Sequence, residues 1–212
     1  MRGRDMQGLS PIRDRLLGLR VNGRTGIVAS ARQVPSPNCD DRPPGGRPEL
    51  VVVHGISLPP GEFGGPWVDA LFQNRLDPAA HPYFAGIAGL RVSSHLLVRR
   101  DGEFVQYVPL TRRAWHAGAS AFRGRPACND FSIGIELEGA DDVPYQPVQY
   151  VRLAALLTAL MAAIPALAGA PIVGHSDVAP GRKTDPGPAF RWDRLRHWLR
   201  VCGGRPLRVR TA

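Results

Sequence analysis

Apolar residues along the chain recur with two different periods, and each period marks a kind of element. Leu50-Val51-Val52-Val53-His54 is a short, mostly β-branched run, the pattern of a strand buried on both faces. From Ser132 to Gly139 the pattern alternates. Ile133, Ile135 and Leu137 fall on one face, and Gly134, Glu136 and Glu138 on the other. Ser93–Arg99 and Glu103–Pro109 read as two strands around Arg100-Asp101-Gly102, because Asp-Gly between apolar runs favours a hairpin turn. Pro171–Gly174 predicts one more short strand. Helical spacing occurs three times. Residues 66–76 place Val68, Leu71, Phe72 and Leu76 on one face. Residues 147–164 do the same with Leu153, Leu156, Leu157, Leu160 and Ile164, with Pro147 in the first turn and Pro165 as the stop. Residues 192–201 carry Trp192, Leu195, Trp198 and Leu199. Strands interleaved with helices predict an α/β fold with a single mixed β-sheet flanked by helices.

Two stretches break this patterning. Residues 35–48 are rich in Pro, Gly and Asp and read as coil. Gly174–Pro188 holds Pro180, Gly181, Pro186, Gly187 and Pro188, so it predicts a long rigid loop rather than a helix or central strand. Functional side chains concentrate on such loops. This one carries His175, Lys183 and Asp185, and Lys183 is the only lysine among 27 basic residues.

Charge narrows the function classes. The formal net charge is +9, yet residues 48–199 balance to zero and the excess lies in the two ends. Residues 1–30 are therefore expected to be a basic, poorly ordered extension, 31–202 the folded domain and 203–212 a basic tail. No basic stripe interleaved with aromatics runs through the middle, which argues against nucleic acid as a partner. Cys39, Cys128 and Cys202 are odd in number and widely spaced, which argues against a disulfide framework and a thiolate metal site. The first residues lack the apolar core of a signal peptide, and the run Leu153–Leu167 is too short to span a bilayer. These features lead us to expect a cytoplasmic protein without a membrane partner.

The chemistry follows from where the strands end. Two of them end in histidine, His54 and His175. If those strands are neighbours, both imidazoles sit on one rim of the sheet, and the loop after His175 returns Asp185 to them. Two histidines and one carboxylate with an open position form the ligand set of a catalytic zinc ion. Such a site needs a proton carrier, and the polar face of 132–139 offers Glu136 and Glu138 equally. Lys183 would stand close enough to stabilise an oxyanion. The Gly-rich segment 55–65 lacks the Gly-Lys-Ser/Thr ending of a phosphate loop.

These residues, together with Ser57–Pro66, His81-Pro-Tyr-Phe84, Arg99–Gly102, Gly118 and Cys128-Asn-Asp-Phe131, resemble the zinc-dependent N-acetylmuramoyl-L-alanine amidases. That family is similar in fold to the peptidoglycan-recognition proteins. The resemblance spans residues 31–199 and is greatest to the cytoplasmic branch acting on 1,6-anhydro-N-acetylmuramyl peptides in cell-wall recycling. It implies one zinc ion on His54, His175 and Asp185, Glu136 as catalytic acid/base and Lys183 as transition-state stabiliser. It also implies a substrate groove containing Trp115, His116 and Arg125. The expected partner is a small muropeptide, taken by a monomer. Two departures stand out. Gly55 follows the first histidine where the branch commonly has Asn, and Ala127 stands where it often has an Arg suited to a stem-peptide carboxylate. A muropeptide-binding module of the same fold, without hydrolysis, is the alternative.

Overall fold

The structure, a computed structural model, describes residues 19–203. The strands are β1 (Val21–Asn22), β2 (Ile27–Val28), β3 (Arg32–Gln33), β4 (Cys39–Asp40), β5 (Leu50–Ile56), β6 (Leu96–Val98), β7 (Phe104–Gln106), β8 (Arg113–Ala114), β9 (Ala121–Phe122), β10 (Arg125–Pro126), β11 (Ser132–Glu138) and β12 (Ile172–Gly174). The helices are α1 (Trp67–Phe72), α2 (Pro147–Ala163), α3 (His175–Val178) and α4 (Trp192–Val201). A six-stranded sheet in the order β12-β5-β11-β6-β7-β3 is the centre of the molecule. β12, β5, β11 and β6 run parallel, and the β6–β7 pair is the antiparallel hairpin expected around Asp101-Gly102.

One face of this sheet carries the main core. Val51 and Val53 of β5 and Ile133, Ile135 and Leu137 of β11 pack with Leu153, Leu156, Leu157 and Leu160 of α2 and with Leu195 and Leu199 of α4. The four α2 leucines are wholly buried, worth about 1.5–3 kcal/mol each. Gln149, buried in the first turn of α2, donates to the carbonyls of Val98 and Glu138 at 3.2 and 3.0 Å. The helix is thereby tied to the ends of β6 and β11. Its end before Pro165 is the one the sequence predicts. α1 stops earlier than the expected 76, because Asn74 turns into the left-handed region at φ 59°. Leu76 is still buried beyond it.

The opposite face is covered by two separate apolar clusters. Leu58, Val68, Leu71, Phe72 and Phe84 pack over Leu97 and Val105. Ala117, Cys128, Phe131 and Val178 pack over Leu50, Val52 and Val173. His54, Glu136 and Glu138 lie on this face, and all seven residues of β11 are buried.

The expected domain start needs correction. Residues 1–18 and 204–212 lie outside the described residues, and with them most of the expected basic ends. Residues 19–30 are not a loose extension: β1 and β2 form a hairpin whose Leu19 and Val28 belong to the main core. The Gln106 side chain accepts from Val28 N–H at 2.9 Å and donates to the Gly26 carbonyl at 2.7 Å. Arginine spacing hid two apolar anchors in that stretch.

Candidate active site

Register places the first histidine and the glutamate together. Glu136 of β11 is the partner of His54 on β5 in the parallel ladder, and neighbouring partners point to the same face. On the other side, Gly174 of β12 pairs with Val53, which sets His175 beside His54 at the same rim. The expected loop after Gly174 begins with one turn of helix, α3, a correction to the reading of 174–188 as wholly non-helical. Its prolines start only at Pro180, so nothing prevents a turn before them. Asp177 Oδ2 accepts from Gly174 N–H at 2.7 Å at the start of that turn. Ser176 N–H then bonds the Asp185 carbonyl at 3.0 Å and draws the returning chain to the rim.

Three ligand-type atoms converge there. His54 Nδ1 lies 3.0 Å from His175 Nδ1 and 3.2 Å from Asp185 Oδ2, and His175 Nδ1 lies 3.1 Å from the same oxygen. Both histidines are almost wholly buried. The Nε2 of His175 faces the Ala117 carbonyl at 3.2 Å. A carbonyl only accepts, so that nitrogen carries the proton and Nδ1 offers a lone pair. Asp185 also only accepts. Ligands about 2.0–2.1 Å from a tetrahedral ion stand about 3.3 Å apart, close to the spacings seen. The Oε2 of Glu136, buried at the same face, has no hydrogen-bond partner among the described residues. Converging acceptors beside an unpartnered buried carboxylate oxygen fit a bound cation.

The surroundings shift protonation in two directions. Burial lowers the His54 pKa to about 4 against the opposing charge of Asp185, so the imidazole is neutral at physiological pH. Burial raises the Glu136 pKa well above the usual carboxylate range; the Asp185 charge adds to this and the Lys183 charge opposes it. Lys183 itself is exposed, and among the described residues none accepts a hydrogen bond from its ammonium.

The other expected site residues divide. His116 is buried behind His54, its Nδ1 2.9 Å from His54 Nε2, and so faces inward rather than into a groove. Its ring occupies the space left by Gly134, where a Cβ would come within 2.4 Å of the His116 Cγ. Trp115 is half-buried and its indole N–H donates to Asp40 Oδ1 at 3.2 Å. Arg125 is not brought to the metal-type cluster. It pairs with Glu49 at 2.9 Å and stacks on Phe131, at the start of β5, the strand end opposite His54. Ala127 is exposed in the left-handed region at φ 59°. The candidates Glu136 and Glu138 are separated by their contacts. Glu138 accepts from Gly64 N–H at 2.6 Å and Arg100 N–H at 3.1 Å and lies 3.4 Å from Arg99 Nη1, so both its oxygens are engaged in holding loops.

Sequence reasoning missed several supports. Tyr145 donates to the Pro186 carbonyl at 2.9 Å, next to Asp185. A Cβ on residue 55 would fall 2.3 Å from that hydroxyl, so Gly55 makes room for it. Arg182 bonds the carbonyls of Ala117 and Ala119 at 2.6 and 2.8 Å. Asn129 accepts from the N–H groups of His116 and Ala117 at 3.2 and 2.8 Å. Tyr145, Arg182 and Asn129 lie outside the strands and α-helices, with no periodicity to mark them.

Comparison with known proteins bears on this geometry. Residues 44–188 match the family described as N-acetylmuramoyl-L-alanine amidase. The chain is 63% identical to the 1,6-anhydro-N-acetylmuramyl-L-alanine amidase AmpD of Citrobacter freundii over 171 residues, 81% of this chain and 91% of that protein. The crystal structure of a selenomethionine AmpD derivative superposes with a TM-score of 0.80 at 61% identity, covering 82% of this chain and 97% of the other. The Escherichia coli amidase AmiD, in complex with the substrate anhydro-N-acetylmuramic acid-L-Ala-D-γ-Glu-L-Lys, superposes at 0.50 with 32% identity, covering 71% and 57%.

Proposed function

The chain belongs to the N-acetylmuramoyl-L-alanine amidase family, and from that premise we propose that it hydrolyses the lactyl–L-alanine amide of 1,6-anhydro-N-acetylmuramyl peptides in cell-wall recycling. The observation that carries this reading is the cluster of His54, His175 and Asp185 beside the unpartnered oxygen of Glu136, in a chain 63% identical to an amidase named for that bond. His54, His175 and Asp185 would hold one zinc ion, which when bound supplies a Lewis acid for the scissile carbonyl and lowers the pKa of water.

The chain's own groups do the rest. Glu136, with its raised pKa, takes a proton from the attacking water and delivers it to the leaving amine of L-alanine. Its burial keeps solvent from competing for that proton. The Lys183 ammonium, close enough for its charge to act on both Glu136 and His54, stabilises the oxyanion. A compact ammonium suits that task better than a planar guanidinium. The amidase domain then runs from about Leu19 to Cys202. We place the enzyme in the cytoplasm as a monomer. Its three cysteines are free, and no described helix is long and apolar enough to cross a membrane.

Mass spectrometry of anhydro-muropeptide incubated with the protein, with and without chelator, tests the reading. Release of the peptide by the wild type, its loss with chelator and recovery with zinc are expected. Glu136→Ala should keep stoichiometric zinc and lose nearly all turnover. Zinc bound by the wild type without cleavage of any muropeptide would favour a binding module instead.

A further inference from the structure

We propose that the dipeptide His116-Ala117 is the positioning element for both metal-type histidines, and that it sets their tautomers before any metal arrives. The inference rests on the metal reading above only for its consequence, since the tautomers can be observed without metal.

The hydrogen-bond chain starts at a backbone carbonyl. Ser132 Oγ lies 2.6 Å from the Cys128 carbonyl, which can only accept, so the serine hydroxyl donates there. Its hydrogen is then committed, and the oxygen can only accept from His116 Nε2, 3.0 Å away. With its proton on Nε2, His116 presents a bare Nδ1 to His54 Nε2 at 2.9 Å, and that contact needs a proton from His54. His54 thus carries its proton on Nε2 and turns a lone pair on Nδ1 toward His175 and Asp185. The reverse order would send the serine hydrogen to His116. It would then leave two oxygen lone pairs facing each other at 2.6 Å, without a hydrogen between them.

The next residue performs the same task for the other histidine. The Ala117 carbonyl accepts from His175 Nε2 at 3.2 Å and leaves Nδ1 of His175 bare as well. One dipeptide therefore orients both imidazoles, through a side chain for His54 and a carbonyl for His175. It is held by three contacts. Asn129 Oδ1 grips both its N–H groups, Arg182 binds the Ala117 carbonyl at 2.6 Å, and Gly134 provides the seat for the His116 ring. Outer partners of this kind fix ligand orientation in metal sites and are worth about tenfold to a hundredfold in metal affinity.

Long-range 1H–15N NMR on the metal-free protein reads the tautomers, and zinc competition against a chelating dye reads affinity. In the wild type, His54 and His175 are expected as Nε2–H tautomers. His116→Phe keeps a ring on Gly134 but removes the acceptor. It should scramble the His54 tautomer and weaken zinc about tenfold to a hundredfold, while His175 keeps its Nε2–H form. His116→Asn restores an acceptor near the Nδ1 position and should recover most of the affinity. Ser132→Ala leaves the ring in place and removes the ordering hydroxyl. It should mix the tautomers of His116 and His54, and it carries the test if the phenylalanine variant does not fold. The proposal is overturned if folded His116→Phe or Ser132→Ala keeps the wild-type His54 tautomer and zinc affinity. It is likewise overturned if wild-type His54 carries its proton on Nδ1. Ordered tautomers in a wild type that does not bind zinc would instead overturn the metal reading alone.

Discussion

Gly134→Ala is a one-carbon change in the middle of the sheet, and its effect can be worked from contacts. The new Cβ would stand 2.4, 2.6 and 2.8 Å from Cγ, Nδ1 and Cδ2 of His116. The strand cannot retreat. Gly134 pairs with Val52 in the ladder, its N–H bonds His95 Nδ1 at 3.0 Å, and its carbonyl accepts from His95 N–H at 3.1 Å and Ser94 Oγ at 2.8 Å. The His116 ring must leave instead. Overpacking of this kind costs about 1–3 kcal/mol, and His54 Nε2–H stranded without its acceptor adds about 1–3 kcal/mol. Replacing glycine within a strand returns about 0.5–1 kcal/mol. The net loss is about 3 kcal/mol, a fall in melting temperature of roughly 6–12 °C for a domain this size. Thermal unfolding of metal-free protein measures it, and a double-mutant cycle with His116→Ala isolates the cause. In the His116→Ala background the alanine at 134 has nothing to strike and should be nearly neutral. An equal loss in both backgrounds would refute the steric argument, and so would a single variant melting within a degree of the wild type.

Three further outcomes follow. Glu138→Gln should leave zinc affinity unchanged and lower stability, because Glu138 serves Gly64, Arg99 and Arg100 rather than the metal cluster; a loss of zinc equal to that of a ligand variant would contradict this assignment. Tyr145→Phe removes one donor to the Pro186 carbonyl and should cost about 1 kcal/mol in urea unfolding together with a several-fold loss of zinc affinity. Unchanged affinity would show that Asp185 is held without it. Acid should destabilise the metal-free protein below neutrality. His54, His95 and His116 all have folded pKa values lowered by burial, to about 4 for His54 and about 3 for His95. As pH falls below about 6.5 the unfolded chain binds protons that the folded one refuses, so stability drops toward pH 4. Glu136, with its pKa raised, acts in the opposite sense, three groups against one. Urea midpoints that stay level between pH 7 and 4.5 in chelator would refute the balance.

Strand and helix spacing were legible because burial imposes periods that survive in a single sequence. β5, β11, α2 and α4 are found where the apolar pattern places them, and the metal-type residues could be named because a histidine falls at or near the end of two strand-like runs and a Pro/Gly-rich loop returns an aspartate; in the structure β5 runs on to Ile56, and His175 opens α3 just after β12. The choice between Glu136 and Glu138 was open on spacing, since both share one strand face. Tertiary contacts separate them by giving Glu138 loops to hold and leaving an oxygen of Glu136 without a partner. Arg125 looked available for an anion until Glu49, 76 residues away, was found against it. Gly134 shares the strand face of Glu136, and the space it leaves belongs to His116, which arrives from a different segment. A hydrogen-bond chain from Cys128 through Ser132 and His116 to His54 has no period and no motif. It exists only because folding brings a loop, a strand and a turn within 3 Å of one another. Local patterns record which residues are buried, whereas the direction in which a buried proton points depends on whichever distant acceptor the fold supplies.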